Sequence, residues 1–145
     1  MLLFPLLHAP IGSRLVWTDF DGVTLTLGIS TANPKASCPS CGGESQRIHS
    51  RYTRLLAEQP VFGLRVRLRM TVRRFFCDDP GCPRRIFVEP LDGFAARHAR
   101  TTTRLAQTHL VLGLALGGEA GARLAERTGM PTSADTLLRL SLIHI

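Results

Sequence analysis

Apolar and polar residues, most of the latter arginine, alternate without a break from Leu64 to Val72. Leu64, Val66, Leu68, Met70 and Val72 fall on one side of a period-two pattern, and Arg65, Arg67, Arg69 and Arg73 fall on the other, with Thr71 between them. That period belongs to a strand with one buried face. Beyond Val72 the pattern shifts: Arg74 takes an apolar position and Phe75 joins the arginine side. A bulge near Arg73-Arg74 would restore the phase. Val23, Leu25, Leu27 and Ile29 alternate with Thr24, Thr26 and Gly28 and predict an earlier strand, opened by the turn signal Asp21-Gly22. Ile48 to Leu56 predicts a further strand carrying Arg51 and Arg54, and Glu58 to Gly63 reads as a connection punctuated by Pro60 and Gly63.

After Leu91-Asp92-Gly93, which reads as a hinge, the period becomes helical. Thr101, Thr102 or Thr103 is the expected cap, and Leu105, His109, Leu112 and Leu116 recur at helical spacing. His109 on that stripe reads as a packing residue and not as a ligand. Gly113 and Gly117-Gly118 weaken this helix and are expected to end it. A short helix follows over Glu119–Arg127 with Ala120, Leu124 and Ala125 inward. Thr128 to Thr132 breaks it, and Ser133 caps a last helix through Leu137 and Leu138. Ala125 and Gly129 occupy the positions where a helix-turn-helix takes a small contact residue and a turn glycine. The last helix would then present Ser133, Asp135, Thr136 and Arg139 to a DNA groove; any small helical hairpin is the alternative.

Four cysteines change this picture. Cys38-Pro-Ser-Cys41 and Cys77-Asp-Asp-Pro-Gly-Cys82 bracket the arginine strand and use every cysteine in the chain. Both spacings suit a tetrahedral zinc ion, with Pro39, Gly42-Gly43 and Pro80-Gly81 supplying tight loops. Roughly 35 residues separate the pairs, enough for a hairpin. Cys38, Cys41, Cys77 and Cys82 are therefore the expected ligands of a structural Zn2+. Two disulfides in an oxidising compartment, a redox thiol pair, or His49 in place of one cysteine are the alternatives.

The chain has 145 residues, a net charge of +7 and a pI near 10.5, and Lys35 is its only lysine. A length of this order means one modest domain or two small ones, and a small half needs a staple such as zinc. The basic balance points to a polyanionic partner, nucleic acid before membrane. No acid lies within Leu64–Phe76 to pair with the arginine row, so the row reads as a phosphate-contacting face. No apolar run is long enough to span a bilayer. Met1–Leu7 is apolar, but it lacks a basic start and is interrupted by Pro5, so no signal peptide is expected and a cytoplasmic location is.

These pieces, in this order, resemble the N-terminal region of a bacterial insertion-sequence transposase of the family that joins a four-cysteine zinc finger, a helix-turn-helix and a DDE catalytic domain. The residues carrying the match are Cys38-Pro-Ser-Cys41-Gly, His49-Ser-Arg-Tyr52, Arg73-Arg-Phe-Phe-Cys77, Cys82-Pro-Arg-Arg-Ile-Phe87, Arg100-Thr-Thr-Thr-Arg104-Leu105 and Ser133-Ala-Asp-Thr-Leu-Leu-Arg139. The resemblance implies zinc on the four cysteines. It also implies that both modules bind double-stranded DNA at terminal inverted repeats, and that the parent protein cuts and rejoins DNA. Candidate DNA contacts are Arg51, Arg54, Arg65, Arg67, Arg69, Arg73 and Arg74 on the strands, Arg100 and Arg104 at the helix start, and Ser133, Thr136 and Arg139 on the last helix. The family's catalytic carboxylates, which would hold two divalent metals, are not recognisable here, so this chain is not expected to catalyse transposition alone. Self-association would lie in the C-terminal part of the parent protein.

The expected fold is α+β: a small β-rich zinc-finger module followed by a helical helix-turn-helix unit, truncated before any catalytic domain. Its divisions are an N-terminal strand segment 1–34, a zinc-binding β module 35–92, a helix-turn-helix 98–139 and a non-native tail 140–145. The tail departs from the polar, basic run expected after Arg139. Leu140-Ser-Leu-Ile-His-Ile145 can be encoded in frame by CTG TCT CTT ATA CAC ATC, the mosaic-end adapter of transposon-based sequencing libraries, and a read-through artefact is the expectation for it. A stand-alone zinc-ribbon regulator or adaptor, binding RNA or a protein, is the rival reading.

Overall fold

The computed structural model describes residues 12–143; the apolar start Met1–Leu7 and the last two residues, His144 and Ile145, lie outside the described residues. Seven strands come first: β1 (Ser13–Phe20), β2 (Thr24–Thr31), β3 (Ala36–Ser37), β4 (Glu44–Ser45), β5 (Ile48–Val61), β6 (Leu64–Phe76) and β7 (Ile86–Val88). Two helices follow, α1 (Thr103–Arg127) and α2 (Ala134–Ile143). The main sheet runs β1-β2-β6-β5, with β7 also paired to β6, and β3 and β4 form a separate two-stranded ribbon.

The alternating strand β6 is the centre of this sheet. It pairs antiparallel with β5 on one side, and on the other it pairs in parallel with β2 and antiparallel with β7. Its even-numbered residues Val66, Leu68, Met70 and Val72 are buried with Leu27, Ile29 and Leu56 under Leu91, Phe94 and Ala95. Burying this apolar face is the main driving force for the sheet. The expected N-terminal strand is β2, in the middle of the same sheet, and its outer neighbour β1 is an additional strand with no alternating pattern in the sequence. A register shift between Leu15 and Trp17 breaks the alternation of β1 and explains why its pattern is illegible.

The expected connection Glu58–Gly63 is mostly strand. β5 continues to Val61, which pairs with Leu64, and only Phe62 and Gly63 turn the chain, both with positive φ (51° and 77°). Two consecutive residues at positive φ make the primed turn that matches strand twist. The expected bulge is present on the partner strand: His49 of β5 is the extra residue, opposite Arg74 and Phe75. β6 keeps its phase, and Phe75 stays on the arginine side because a second core covers that end. Phe75 and Phe87 are buried there with Cys38 and Cys82.

Thr102 caps α1 by accepting the N–H of Leu105. The first helical run ends at Gly117 as expected: the backbone leaves helical geometry there (φ 73°, ψ −173°), and a second run begins at once beyond the kink, so that α1 is two helical segments. Its buried stripe is Leu105, His109, Gly113, Gly118, Gly121 and Ala125, whereas Leu116 and Leu124 are exposed. The stripe follows the glycines because α2 packs close to the α1 backbone. A Cβ on Gly113 would lie 2.7 Å from the Leu137 carbonyl oxygen, and one on Gly121 2.7 Å from the Leu137 side chain. Gly129 (φ 82°) closes the second half of α1, with the Met130 N–H donating to the Ala125 carbonyl. His109 packs as expected, its Nε2–H donating to the Met130 carbonyl.

The helices are fixed to the sheet at one seam. Ala57 of β5 and Thr101 form a parallel bridge, in which Ala57 N–H donates to the Arg100 carbonyl and Thr102 N–H to that of Ala57. Beside it, the buried carboxylate of Glu58 accepts from Thr102 Oγ1 (3.0 Å) and Arg104 Nε (3.3 Å). At the same end of β5, Glu126 of α1 pairs with Arg65, next to the Phe62-Gly63 turn.

Candidate metal centre and nucleic-acid interface

Two short loops build the thiol cluster. In the first, Gly42 N–H donates to the Cys38 carbonyl, Cys38 N–H donates to that of Gly43, and Gly43 N–H points at Cys41 Sγ (3.4 Å). Gly42 takes φ 75°, which a glycine adopts without strain. In the second, Asp79 closes the turn by accepting the N–H groups of Gly81 on its side chain and Cys82 on its carbonyl. The ribbon β3–β4 holds the first loop and β6–β7 the second.

These loops bring the Sγ atoms of Cys38, Cys41, Cys77 and Cys82 to within 4.8 Å of one another. Cys38 and Cys82 are 4.0 Å apart, and Cys41 and Cys77 3.6 Å. A tetrahedral zinc with Zn–S bonds of about 2.3 Å needs sulfur atoms about 3.8 Å apart, whereas a disulfide needs about 2.05 Å. All four thiols are free. His49 is not in the cluster; its ring packs edge-on against Phe76 and its Nδ1 meets Ser50 Oγ.

The electrostatics of the cluster favour a cation. Burial opposes a thiolate at Cys38, but the N–H groups of Cys41 and Ser40 and the thiols of Cys41 and Cys77 outweigh it and bring the group down to about 7. The Asp79 N–H favours a thiolate at Cys77, but burial and the three neighbouring sulfurs push that group up to about 12. Four thiolates this close cannot all ionise unless a positive charge sits among them. Among the described residues this is the one group of three or more His, Cys, Asp or Glu side chains whose ligand atoms converge.

The candidate DNA-contacting arginines are divided between surfaces. On the outer face of the sheet, Arg67 and Arg69 are exposed on β6 and Arg51 is exposed on β5. Arg65 shares that face but is paired with Glu126. Trp17 lies flat across Gly28, beside Arg69, where a Cβ would be 2.2 Å from its ring. Arg73 occupies the same side but is buried. Its guanidinium pairs with Glu89 (2.9 Å) and lies 5.0 Å from the Phe75 ring centre, so sequence adjacency to the row does not make it a surface residue. Glu89 comes from beyond β7, outside the acid-free stretch Leu64–Phe76.

Arg54 and Arg74 project to the opposite face. Arg54 donates to the carbonyls of Ala96 and Ala99, and Arg74 stacks 4.4 Å over Tyr52. Arg104 is engaged by Glu58 and Arg100 is exposed at the seam. On α2, Ser133 Oγ accepts the Thr136 N–H and meets Thr136 Oγ1, so both hydroxyls serve the helix cap, while Arg139 is exposed. Asp21 is a turn-former: the N–H groups of Thr24 and Val23 hold its carboxyl below the ordinary range, with Arg67 adding a smaller attraction. No helix among the described residues is long and apolar enough to cross a membrane.

Comparison with known proteins agrees with this geometry. Residues 34–82 match the family described as the zinc-finger of transposase IS204/IS1001/IS1096/IS1165. The chain is 32% identical over 94 residues to the transposase for insertion sequence element IS1001 of Bordetella parapertussis, a match covering 65% of this chain and 22% of that protein. The chain thus spans about a fifth of the length of the curated relative it matches. No solved structure matches it. The resemblance to insertion-sequence transposases is borne out, and Cys38, Cys41, Cys77 and Cys82 form a zinc-ribbon site for structural Zn2+.

Proposed function

We propose that this chain, which carries the zinc finger of insertion-sequence transposases, binds double-stranded DNA and recognises the terminal inverted repeats of its element. The observation that carries the reading is the exposed arginine face built directly onto the zinc-held strand. β6 runs from Arg65, Arg67 and Arg69 into Cys77, so the metal loop and the basic face belong to one rigid element. Zinc orders the loops, and the arginines track phosphates.

The helical unit is assigned to base reading. The bend at Gly117 divides α1 into two segments, and the second of these, the turn at Gly129 and α2 have the order of a helix-turn-helix. α2 would lie in the major groove with Asp135 and Arg139 outward. Cutting and rejoining of DNA is assigned to the whole transposase, and a cytoplasmic location is consistent with that role.

The test is binding of the zinc-loaded chain to duplexes bearing the element's terminal repeats and to scrambled duplexes of equal length, over a range of salt. Tighter binding to the repeats, weakening steeply with salt, is expected. Equal affinity for both would remove repeat recognition, and absence of binding to either would favour an adaptor that takes RNA or protein.

A further inference from the structure

A cleft of about 810 Å³ opens on the sheet face opposite the exposed arginine row, between the zinc loops and residues 90–99. Its lining gathers Arg54 and Arg74 from β5 and β6, Arg84 from beside the zinc loop, and Arg97 and His98 from the 90–99 segment. Two acids also line it. Glu89 is already committed to Arg73 and Thr31, and Asp92 is exposed.

Three of the arginines are held in place by neutral groups. Arg84 Nε donates to Ser40 Oγ (2.9 Å), Arg54 to two backbone carbonyls, and Arg74 rests on the Tyr52 ring with one N–H towards Ser50 Oγ. None of these partners neutralises a guanidinium, and each guanidinium has five N–H groups in a fixed fork. His98 adds a second signal. It is exposed and takes φ 62°, a conformation a histidine adopts only against a steric cost, and such outliers concentrate at ligand-contacting sites.

We propose that this cleft is a phosphate-ester site for nucleic acid, with Arg84 and Arg97 as its contacting residues and Arg54, Arg74 and His98 completing the positive field. The proposal rests on the DNA-binding reading and deepens it by adding a second contact surface that uses residues outside the strand row. The same chemistry would accept either a DNA backbone phosphate or the phosphate of a free nucleotide.

The test follows arginine Nε–H and Tyr52 ring signals by NMR in the zinc-loaded chain, titrated with inorganic phosphate, a nucleoside monophosphate and a short duplex. Tyr52 is the chain's one tyrosine and lines the cleft, while its one tryptophan, Trp17, lies on the outer face, so the two rings report separately. Phosphate and nucleotide should move Arg84, Arg97 and Tyr52 and leave Trp17 still. Arg84→Ala with Arg97→Ala should lower the salt slope of duplex binding by roughly 1.8, about 0.9 for each contact. Arg84→Lys with Arg97→Lys should keep most of it, and unchanged zinc content would exclude damage to the metal loop.

A duplex bound by wild type and the alanine pair with one slope, and no movement of the cleft signals, would overturn the site while leaving DNA binding by the outer face intact. Movement with nucleotide but no duplex binding would sustain the cleft as a free-nucleotide site and sink the DNA-binding reading. No response to any probe would overturn both.

Discussion

Arg73 and Glu89 form a buried ion pair that ties the centre of β6 to the chain leaving β7. Glu89 Oε1 accepts the Arg73 N–H (2.7 Å) and the Thr31 hydroxyl (2.6 Å), and Oε2 accepts from the guanidinium (2.9 Å). One carboxylate therefore joins β2, β6 and the segment that covers the core. Removing either charge leaves the other buried and unpaired, which costs about 3–5 kcal/mol. Glu89→Ala should lower stability by that amount in urea unfolding of the zinc-loaded chain. Arg73→Met with Glu89→Leu should recover much of it.

The outer face should behave differently. Arg67→Ala and Arg69→Ala remove exposed charges and should leave stability within about 0.5 kcal/mol. Each should flatten the salt dependence of DNA binding by about 0.9 if it contacts a phosphate. Arg65→Ala should have less effect, because Glu126 already neutralises that side chain. A salt slope unchanged in the Arg67, Arg69 double variant would take the row out of the interface.

Metal loading should depend on pH in one direction. With the Cys77 thiol pushed up to about 12 and Cys41 also raised, both carry protons at neutral pH without metal, so zinc must displace them. Zinc affinity should fall as pH falls and protons compete for the sulfurs. Competition with a chromophoric chelator at several pH values measures this, beside an expected stoichiometry of one zinc and four titratable thiols after chelation. Affinity independent of pH would argue against thiolate ligation.

Gly113→Ala should destabilise the α1–α2 packing by about 1–3 kcal/mol. The added methyl would stand 2.7 Å from a backbone carbonyl of α2, which cannot rotate away. Loss of cooperative thermal unfolding in the helical unit, with zinc content unchanged, is the expected result.

Phe62→Asn should stabilise the chain by about 1 kcal/mol. Phe62 is 91% exposed at the hairpin tip with φ 51°, so it buries almost nothing and adopts a conformation that asparagine tolerates better. A lower melting temperature would mean that Phe62 makes a stabilising contact within the chain.

The zinc ligands and the core of β6 were legible because both are local patterns: two short cysteine spacings and one clean alternation. A threonine cap within Thr101–Thr103, which the structure resolves to Thr102, and Gly129 as turn glycine were legible for the same reason. What was not legible depends on partners distant in sequence. β1 hid behind its bulge, and Arg73 looked exposed because Glu89 lies sixteen residues on. The helix stripe shifted from Leu116 and Leu124 to the glycines because close packing by α2, and not side-chain hydrophobicity, decides which face of α1 is covered. Arg51 and Arg54 looked equivalent in sequence, yet strand parity sends them to opposite faces.

The seam at Ala57 and Thr101 makes the residues leading into α1, up to its Thr102 cap, a continuation of the sheet's own hydrogen-bond lattice. The start of α1 takes its direction from β5 at this seam, and the Arg65–Glu126 pair brings the far end of the same helix back to the hairpin turn. A strain applied at the Phe62-Gly63 tip would therefore reach both ends of α1, through the backbone lattice at one and through a single ion pair at the other.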